Sequence, residues 1–251
     1  MKEICETRRW PIWMMSISVC SLADGWSGAF ESLSEFADAR VRVWDREEVV
    51  LPGGGTHYGF VWQGEAQLAR AGQVAPLPMQ AGMYFSLAEA GRVGGEKSAG
   101  FVVSCWAHEG EFLLGGPVGE AGRLAYIDGG TTSLLVPPLE AGDPCLNALY
   151  MPGNVVQTVH SHPSDRVGIA IGGFGECVGD DRPHALRPGT VFYISAGQPH
   201  RFCTGPLGLN LIVFHPDSDM GVTHRDHPML RRTLVEGVSA VDLPEIQTRV
   251  P

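Results

Sequence analysis

The sequence predicts an all-β protein made of two similar domains. Its 251 residues include 33 glycines and 18 prolines, and only 18% of them are charged. That composition is typical of a folded chain rich in turns rather than in long helices. From Val41 onward, runs of β-branched and aromatic residues are broken by glycine or proline about every ten residues, which predicts a succession of short strands.

The two halves of the chain resemble each other. GFVWQGEAQLA from Gly59 corresponds to GIAIGGFGECV from Gly168, and MQAGMYFSLAEAG from Met79 corresponds to LRPGTVFYISAGQ from Leu186. Because the two pairs have nearly the same separation, we expect a degenerate internal repeat of about 110 residues, which is one domain long. A stretch rich in proline and glycine at residues 136–144 is expected to link the two domains.

A short amphipathic helix is expected ahead of the first strands. Apolar residues recur there at helical spacing behind a candidate cap at Ser27, namely Phe30, Leu33, Phe36 and Ala37. We expect this helix to pack on the outside of a barrel.

Charge and the N-terminal residues indicate partners and location. The formal net charge is −10, so no overall positive field attracts nucleic acid or acidic lipid. Glu3 and Glu6 interrupt the basic region that a signal peptide needs, and no apolar run reaches the ~18 residues of a membrane span. We therefore expect a cytoplasmic protein that binds a small molecule and neither nucleic acid nor membrane.

The cysteines form no recognisable metal or disulfide pattern. They are scattered without any C-x-x-C pair, at Cys5, Cys20, Cys105, Cys145, Cys177 and Cys203. We expect free thiols in a reducing compartment.

A pair of histidines carries the chemistry in this sequence. His160 and His162 are two residues apart in a run that reads as a strand, so their side chains are expected to project to the same face. A third imidazole from elsewhere would complete a facial set of three nitrogens. The candidate is His200, which follows a strand and a glycine turn. Such an open imidazole site suits first-row metals.

These residues resemble the two sequence motifs of the cupin superfamily. The first motif, G-x5-H-x-H-x3,4-E-x6-G, is matched at His160, His162 and Gly173. The second, G-x5-P-x-G-x2-H-x3-N, is matched at Gly189, Gly197 and His200. The resemblance covers residues 146–215 and implies a metal-binding barrel there.

Several motif positions differ from the family pattern. Arg166 stands where the family has a glutamate ligand, and Asp165 precedes it by one residue. Asn154, Ser195 and Thr204 replace a glycine, a proline and an asparagine. The resemblance therefore implies a metal set of three histidines, with Asp165 as an alternative fourth ligand. Some cupin oxygenases, the cysteine and diketone dioxygenases among them, bind iron through three histidines.

The N-terminal half resembles a second cupin whose metal site is lost. Aligning Gly59 with Gly168 puts Leu51, Pro52 and Gly53 at the positions that His160, Ser161 and His162 have in the second half. The whole chain thus resembles a bicupin, which implies two tandem double-stranded β-helix (jelly-roll) barrels with minor flanking helices and one metal ion per chain. The expected segments are an N-terminal extension with a short helix at 1–40, a degenerate barrel at 41–135, the linker at 136–144, the metal-binding barrel at 145–217 and a tail at 218–251.

The resemblance implies a metal-dependent enzyme and favours an iron(II) dioxygenase. Three neutral imidazoles leave the charge of a divalent ion unneutralised, so the site should favour a small chelating anion. Arg166 could bind its carboxylate, or it could face solvent or form an ion pair with Asp165. Gln198 and Tyr193 are further candidates for substrate contacts. Zinc, manganese, nickel and copper are alternatives to iron. A redox-neutral isomerase or lyase and a non-catalytic sensor of sugar-like metabolites are alternatives to the oxygenase, and a homodimer is expected because bicupins commonly pair.

A second group of histidines lies near the C terminus. It comprises His215, His224 and His227, interspersed with aspartates. No strand alternation brings these side chains together, so we expect a solvated loop rather than a second metal site.

Overall fold

The computed structural model describes residues 17–22, 28–32, 39–106, 108–179, 182–221 and 229–248, with the backbone alone for 28–32. Strands dominate these residues, which confirms the predicted all-β class. In chain order they are β1 (Ile17–Ser21), β2 (Gly28–Ser32), β3 (Ala39–Asp45), β4 (Glu48–Leu51), β5 (Thr56–Arg70), β6 (Leu77–Gln80), β7 (Tyr84–Leu87), β8 (Gly91–Cys105), β9 (Leu113–Gly115), β10 (Leu124–Ala125), β11 (Thr131–Val136), β12 (Cys145–Met151), β13 (Arg166–Val178), β14 (Pro183–Leu186), β15 (Thr190–Ile194), β16 (Arg201–His215), β17 (Leu234–Val235) and β18 (Val238–Ser239). Short 3-10 helices span Leu230–Arg232 and Ala240–Asp242. Within the described residues, no helix could span a membrane.

Most of the strands belong to two antiparallel sheets, one for each half of the repeat. The N-terminal sheet has the order β2-β3-β8-β5-β7-β9, with β4 also on β8 and β6 also on β5. The C-terminal sheet has the order β1-β15-β13-β16-β12-β11-β10, with β14 also on β13. Each sheet forms a barrel, so the chain has the two-barrel architecture that the sequence predicts.

The internal repeat is visible in the two longest strand pairs. β5 pairs with β8 as β13 pairs with β16, and bulges interrupt both pairings at matching places. A Cβ atom at Gly59 would lie 2.1 Å from the Phe85 ring, and one at Gly168 would lie 2.6 Å from the Phe192 ring. Both glycines are therefore required so that an aromatic ring of the neighbouring strand can lie on the backbone.

The two barrels pack against each other through one apolar core. Successive strand residues face opposite sides of a sheet, so each strand sends alternate residues to this core and the others into its own barrel. The core includes Val41, Phe60, Phe101 and Val103 from the first barrel and Leu146, Val167, Tyr193 and Phe214 from the second. The interior of the C-terminal barrel holds a second apolar core, and the candidate site lies next to it.

The division of the chain differs from the expected one. The expected first barrel at 41–135 includes β10 and most of β11, but both strands pair with the C-terminal sheet. The predicted linker at 136–144 is therefore a connection between β11 and β12 inside the second barrel. β1, from the expected extension, also pairs with β15 of that barrel. Proline and glycine mark a break in regular structure, and the composition is the same for a turn between strands and for a link between domains.

The helix predicted behind Ser27 is wrong over Gly28–Ser32, where the chain is strand β2 paired with β3. Residues 33–38 lie outside the described part of the chain. Helical spacing over a few residues is a weak preference, and hydrogen bonds to a neighbouring strand override it.

Candidate metal centre and its cavity

The three predicted histidines converge at one end of the C-terminal barrel. His160 and His200 form an isolated antiparallel bridge, with each backbone amide donating to the other carbonyl at 2.9 and 2.8 Å. The carbonyl of His162 accepts a hydrogen bond from the Gly197 amide at 2.7 Å. The segment that carries the first two histidines is thus held by backbone bonds to the segment that carries the third.

Turns on both sides of this bridge explain two of the altered motif positions. Asn154 adopts a φ of 58°, a left-handed conformation that asparagine tolerates better than most residues, so it can replace the family glycine. Thr204 donates from Oγ1 to the Pro152 carbonyl at 2.7 Å and accepts from the Val155 amide at 2.9 Å. The hydroxyl therefore ties the loop before His160 to strand β16.

Two of the imidazoles have a defined hydrogen-bonding orientation. Nδ1 of His160 lies 2.9 Å from the Thr158 carbonyl, and Nδ1 of His200 lies 2.9 Å from the Gln198 carbonyl. A carbonyl only accepts, so both Nδ1 atoms carry the proton and both Nε2 atoms are left with a lone pair for a metal.

The donor set fits a divalent metal ion. One ring nitrogen from each of His160, His162 and His200 lies within 4.8 Å of the other two. Burial, with the charge of Arg166 as the next cause, lowers the pKa of His162 to about 3. Burial also lowers the pKa of His200. Neutral imidazole is the form that binds a metal, so this centre needs no proton release from these two ligands at neutral pH.

A cavity of about 430 Å³ opens beside the three histidines. Its apolar wall includes Leu149, Phe192, Ile194, Phe202 and Val213. Its polar lining includes Asn147, Gln157, Arg166, His215 and Asp217. A small molecule can therefore reach the candidate metal centre from a partly apolar, partly polar chamber of ordinary ligand-site size.

Arg166 lies in this cavity with its guanidinium fixed. The residue is 8% exposed, and Nη1 donates to the Ser164 carbonyl at 3.0 Å, to Ser164 Oγ at 2.6 Å and to the Asp165 carbonyl at 2.9 Å. Asp217 contributes an ion pair at 3.9 Å. Of the two orientations that the sequence allows, the structure thus has the inward one.

Asp165 lies outside the histidine cluster. Its side chain is buried, and Oδ1 accepts a hydrogen bond from the Ala196 amide at 2.8 Å. The carboxylate therefore supports the turn before His200 and is not placed as a fourth ligand.

The other two predicted substrate contacts lie outside the cavity lining. Tyr193 falls between Phe192 and Ile194, which line the cavity, so strand alternation sends its side chain to the core between the barrels. Gln198 donates from Nε2 to the Pro199 carbonyl at 2.8 Å, and its own carbonyl accepts from His200. Gln198 is thus a support for a ligand rather than a contact for substrate.

Two further residues, His215 and Asn147, line the cavity, and the sequence did not indicate this role for either of them. His215 is not a solvated loop residue: it ends β16 inside the barrel, and its Nε2 lies 3.3 Å from Asn147 Nδ2. Burial lowers the pKa of His215 well below its usual value, so the imidazole is neutral. Alternate side chains of a strand share a face, so the positions of Asn147 in β12 and His215 in β16 could have indicated that both face the barrel interior. His224 and His227 lie outside the described residues.

The thiols of the described residues are free, as predicted. One of them, Cys145, lines the cavity. Burial raises its pKa to about 11, so the thiol stays protonated at neutral pH and is a poor nucleophile or metal ligand.

In the N-terminal barrel, other residues occupy the positions that correspond to the histidines. The pair Leu51 and Gly91 occupies, in the β4 and β8 pairing, the place that the His160 and His200 bridge has in the second barrel. Leu51 is fully buried, and a Cβ at Gly91 would lie 2.5 Å from the Ala69 carbonyl oxygen. Apolar packing therefore fills the position of the centre.

Comparison with known proteins agrees with this architecture. The sequence profile of the cupin domain matches residues 148–215. No curated protein sequence matches the chain significantly.

Several solved structures share the fold at low identity. A cupin 2 conserved barrel domain protein from Leptotrichia buccalis is 10% identical over 80% of this chain and 96% of its own, with a TM-score of 0.56. Salicylate 1,2-dioxygenase from Pseudoaminobacter salicylatoxidans is 12% identical over 80% and 81%, with a TM-score of 0.59. A putative glyoxylate induced protein from Pseudomonas aeruginosa is 14% identical over 83% of each chain, with a TM-score of 0.56. Identities this low establish the fold alone.

Proposed function

We propose that this chain, which belongs to the cupin superfamily, is a metal-dependent enzyme that acts on a small chelating anion, and that it is an iron(II)-dependent oxygenase. One observation carries the proposal. Three histidine nitrogens within 4.8 Å of one another border a cavity that also contains a fixed, buried guanidinium.

The three histidines would hold the ion. His160 and His200 present Nε2 because their Nδ1 atoms bind carbonyls, and His162 completes the set. A bound iron(II) ion supplies open coordination positions and redox chemistry towards dioxygen. Since no carboxylate joins the histidines in this cluster, the site retains excess positive charge and favours an anionic ligand.

Arg166 would orient the substrate. Its Nη1 is occupied by Ser164 and Asp165, which fixes the plane of the guanidinium and leaves another edge for a carboxylate. Arginine binds carboxylates through two parallel N–H bonds when such an edge is available. The charge is held in place before the substrate arrives, so little ordering is needed on binding.

The apolar wall would receive the body of the substrate. Phe192, Phe202 and Leu149 line the cavity, and a substrate packed against them would displace water next to the histidines, which strengthens electrostatic interactions there. Salicylate 1,2-dioxygenase, named for oxygenation of a small carboxylate, shares the two-barrel fold. The shared fold is compatible with an oxygenase, and the uptake of oxygen distinguishes it from an isomerase or a lyase.

Metal analysis of anaerobically purified protein, followed by oxygen uptake with a panel of enolates, thiols, catechols and hydroxycarboxylates, tests the proposal. We expect about one iron per chain and oxygen uptake that depends on one class of substrate. Bound metal without oxygen uptake would favour a redox-neutral isomerase or lyase. A protein that binds these anions without any metal would be a sensor, and the enzyme proposal would be wrong.

A further inference from the structure

Two buried polar atoms of cavity-lining residues have no hydrogen-bond partner among the described residues. They are Arg166 Nε and Asn147 Oδ1, and both side chains line the cavity. Buried donors and acceptors are nearly always paired in folded proteins, because an unpaired one is unfavourable. One unpaired donor and one unpaired acceptor in a single cavity therefore indicate a ligand that provides both partners.

The remaining polar atoms of Asn147 hold its amide in place. Nδ2 donates to His215 Nε2 at 3.3 Å and to Cys145 Sγ at 3.7 Å. With Nδ2 engaged on two partners, Oδ1 is the atom left to accept a hydrogen bond from a ligand.

The strand register places the two side chains diagonally across β16, two residues apart along that strand. Val167 of β13 lies opposite Phe214 of β16, so one further residue along the ladder brings Arg166 to the level of His215. Cys145 of β12 lies opposite His215 from the other side, and Asn147 is the next residue of β12 on the same face. Asn147 lies opposite Val213, so Arg166 and Asn147 lie diagonally on either side of β16 and line the same cavity.

We infer that Arg166 and Asn147 form a donor–acceptor subsite that selects carboxylates with a neutral O–H or N–H group next to the carboxylate. The guanidinium donates to the carboxylate, and Asn147 Oδ1 accepts from the neighbouring group. Hydroxycarboxylates have this pattern, whereas an ammonium next to the carboxylate would meet the positive guanidinium in a buried setting and be disfavoured. The inference rests on the proposed function in one respect, namely that the same cavity receives the substrate.

Calorimetric titration with three matched probes tests the subsite. Mandelate carries the hydroxyl, phenylacetate lacks it, and O-methylmandelate blocks its proton, while the ring and the carboxylate stay the same. We expect the metal-loaded wild type to bind mandelate about fivefold to tenfold more tightly than either of the others, the gain of one hydrogen bond. In Asn147→Leu this preference should fall to about twofold or less, with phenylacetate affinity retained. Arg166→Gln should weaken all three probes.

The variant also separates the subsite from the metal, because a metal ion could itself bind the hydroxyl. The inference is overturned if Asn147→Leu keeps the full preference for mandelate. It is also overturned if the wild type binds the three probes equally or binds none of them. If circular dichroism shows that Asn147→Leu is unfolded, Asn147→Ala replaces it. Metal content is measured on the same samples: an Asn147-dependent preference in protein without metal supports the subsite and counts against the proposed enzyme.

Discussion

His160 and His200 are joined by their backbones in an antiparallel bridge, and each ring donates from Nδ1 to the carbonyl two residues before it. The positions of two ligands are therefore set by main-chain hydrogen bonds, and their tautomers by the neighbouring carbonyls. Such supporting bonds fix ring orientation and raise metal affinity. The geometry of the centre thus depends on the loops that place these carbonyls.

Changing Gly197 to alanine should weaken metal binding through the backbone. Gly197 has a φ of 73° in the turn before His200, and its added Cβ would meet nothing within 4 Å. The cost is therefore conformational, about 1–2 kcal/mol of folding free energy. We expect metal affinity to fall about tenfold, measured by competition with a chromogenic chelator.

Gly72 provides the matched control for that change. It has a φ of 75° in an open turn of the N-terminal barrel and equally free space around it. Gly72→Ala should lower the free energy of unfolding to a similar extent and leave metal affinity unchanged. Equal loss of metal in both variants would show that general destabilisation, and not the turn at His200, is responsible.

His162→Ala should remove essentially all metal, to about a tenth of the wild-type content or less, because two imidazoles are a poor set for a stable site. Asp165→Asn should keep most of it, since the amide oxygen can still accept from the Ala196 amide. Elemental analysis of both variants measures this. Metal loss as complete in Asp165→Asn as in His162→Ala would contradict the three-histidine set, and half-occupancy in His162→Ala would indicate a second site.

Asp217→Asn should increase anion affinity. Asp217 is ion-paired with Arg166 at 3.9 Å and accepts a hydrogen bond from Ser164, so its charge competes with that of an anionic ligand. Because the side chain is 36% exposed, we expect a gain of about two- to fivefold for phenylacetate, largest at low salt. Asp219→Asn removes the same charge from the cavity lining and should have a smaller effect; equal gains would show that overall charge is responsible.

The free energy of unfolding should fall in mild acid, in part because His57 is buried in its neutral form. It is fully buried in the N-terminal barrel, with Nδ1 2.7 Å from Ser104 Oγ and Nε2 2.8 Å from the Pro52 carbonyl, and burial lowers its pKa. As the pH falls below about 6.5, the unfolded chain takes up a proton that the folded chain does not. The free energy of unfolding should therefore fall from pH 7.5 to pH 5.5.

Urea unfolding of His57→Gln at the two pH values measures this contribution. The amide can keep a hydrogen bond in place of the imidazole but does not titrate, so the loss between the two pH values should be smaller than in the wild type. An unchanged loss would assign the acid sensitivity to other histidines.

The convergence of His160, His162 and His200 was predictable from sequence because its signal is local. The run predicted as a strand forms only an isolated bridge at His160, but two histidines two residues apart still reach the same site. The glycine spacing before His200 matches a turn that returns to the same barrel. Asn154 in a left-handed turn shows why one mismatch of the motif does not disturb the loop. The correspondence of Leu51 and Gly91 to His160 and His200 follows from the repeat, and these two residues do pair with each other in the first barrel.

The facing of single residues and the limits of the barrels were harder to predict. Tyr193 was a candidate contact, although its neighbours Phe192 and Ile194 line the cavity, because an apolar strand buried on both faces has no polar side to mark its orientation. The stretch at 136–144 read as a linker because its composition does not record which strands it joins.

Local chemistry therefore specified the strands, the repeat and three imidazoles suited to a metal. The substrate chamber arose from contacts between strands distant in sequence: Arg166, Asn147 and His215 come from three strands, and they meet only because β12, β16 and β13 lie side by side. Sheet order and register depend on the packing of the whole barrel. For that reason, the unpaired atoms that point to a substrate became visible only after folding brought these strands together.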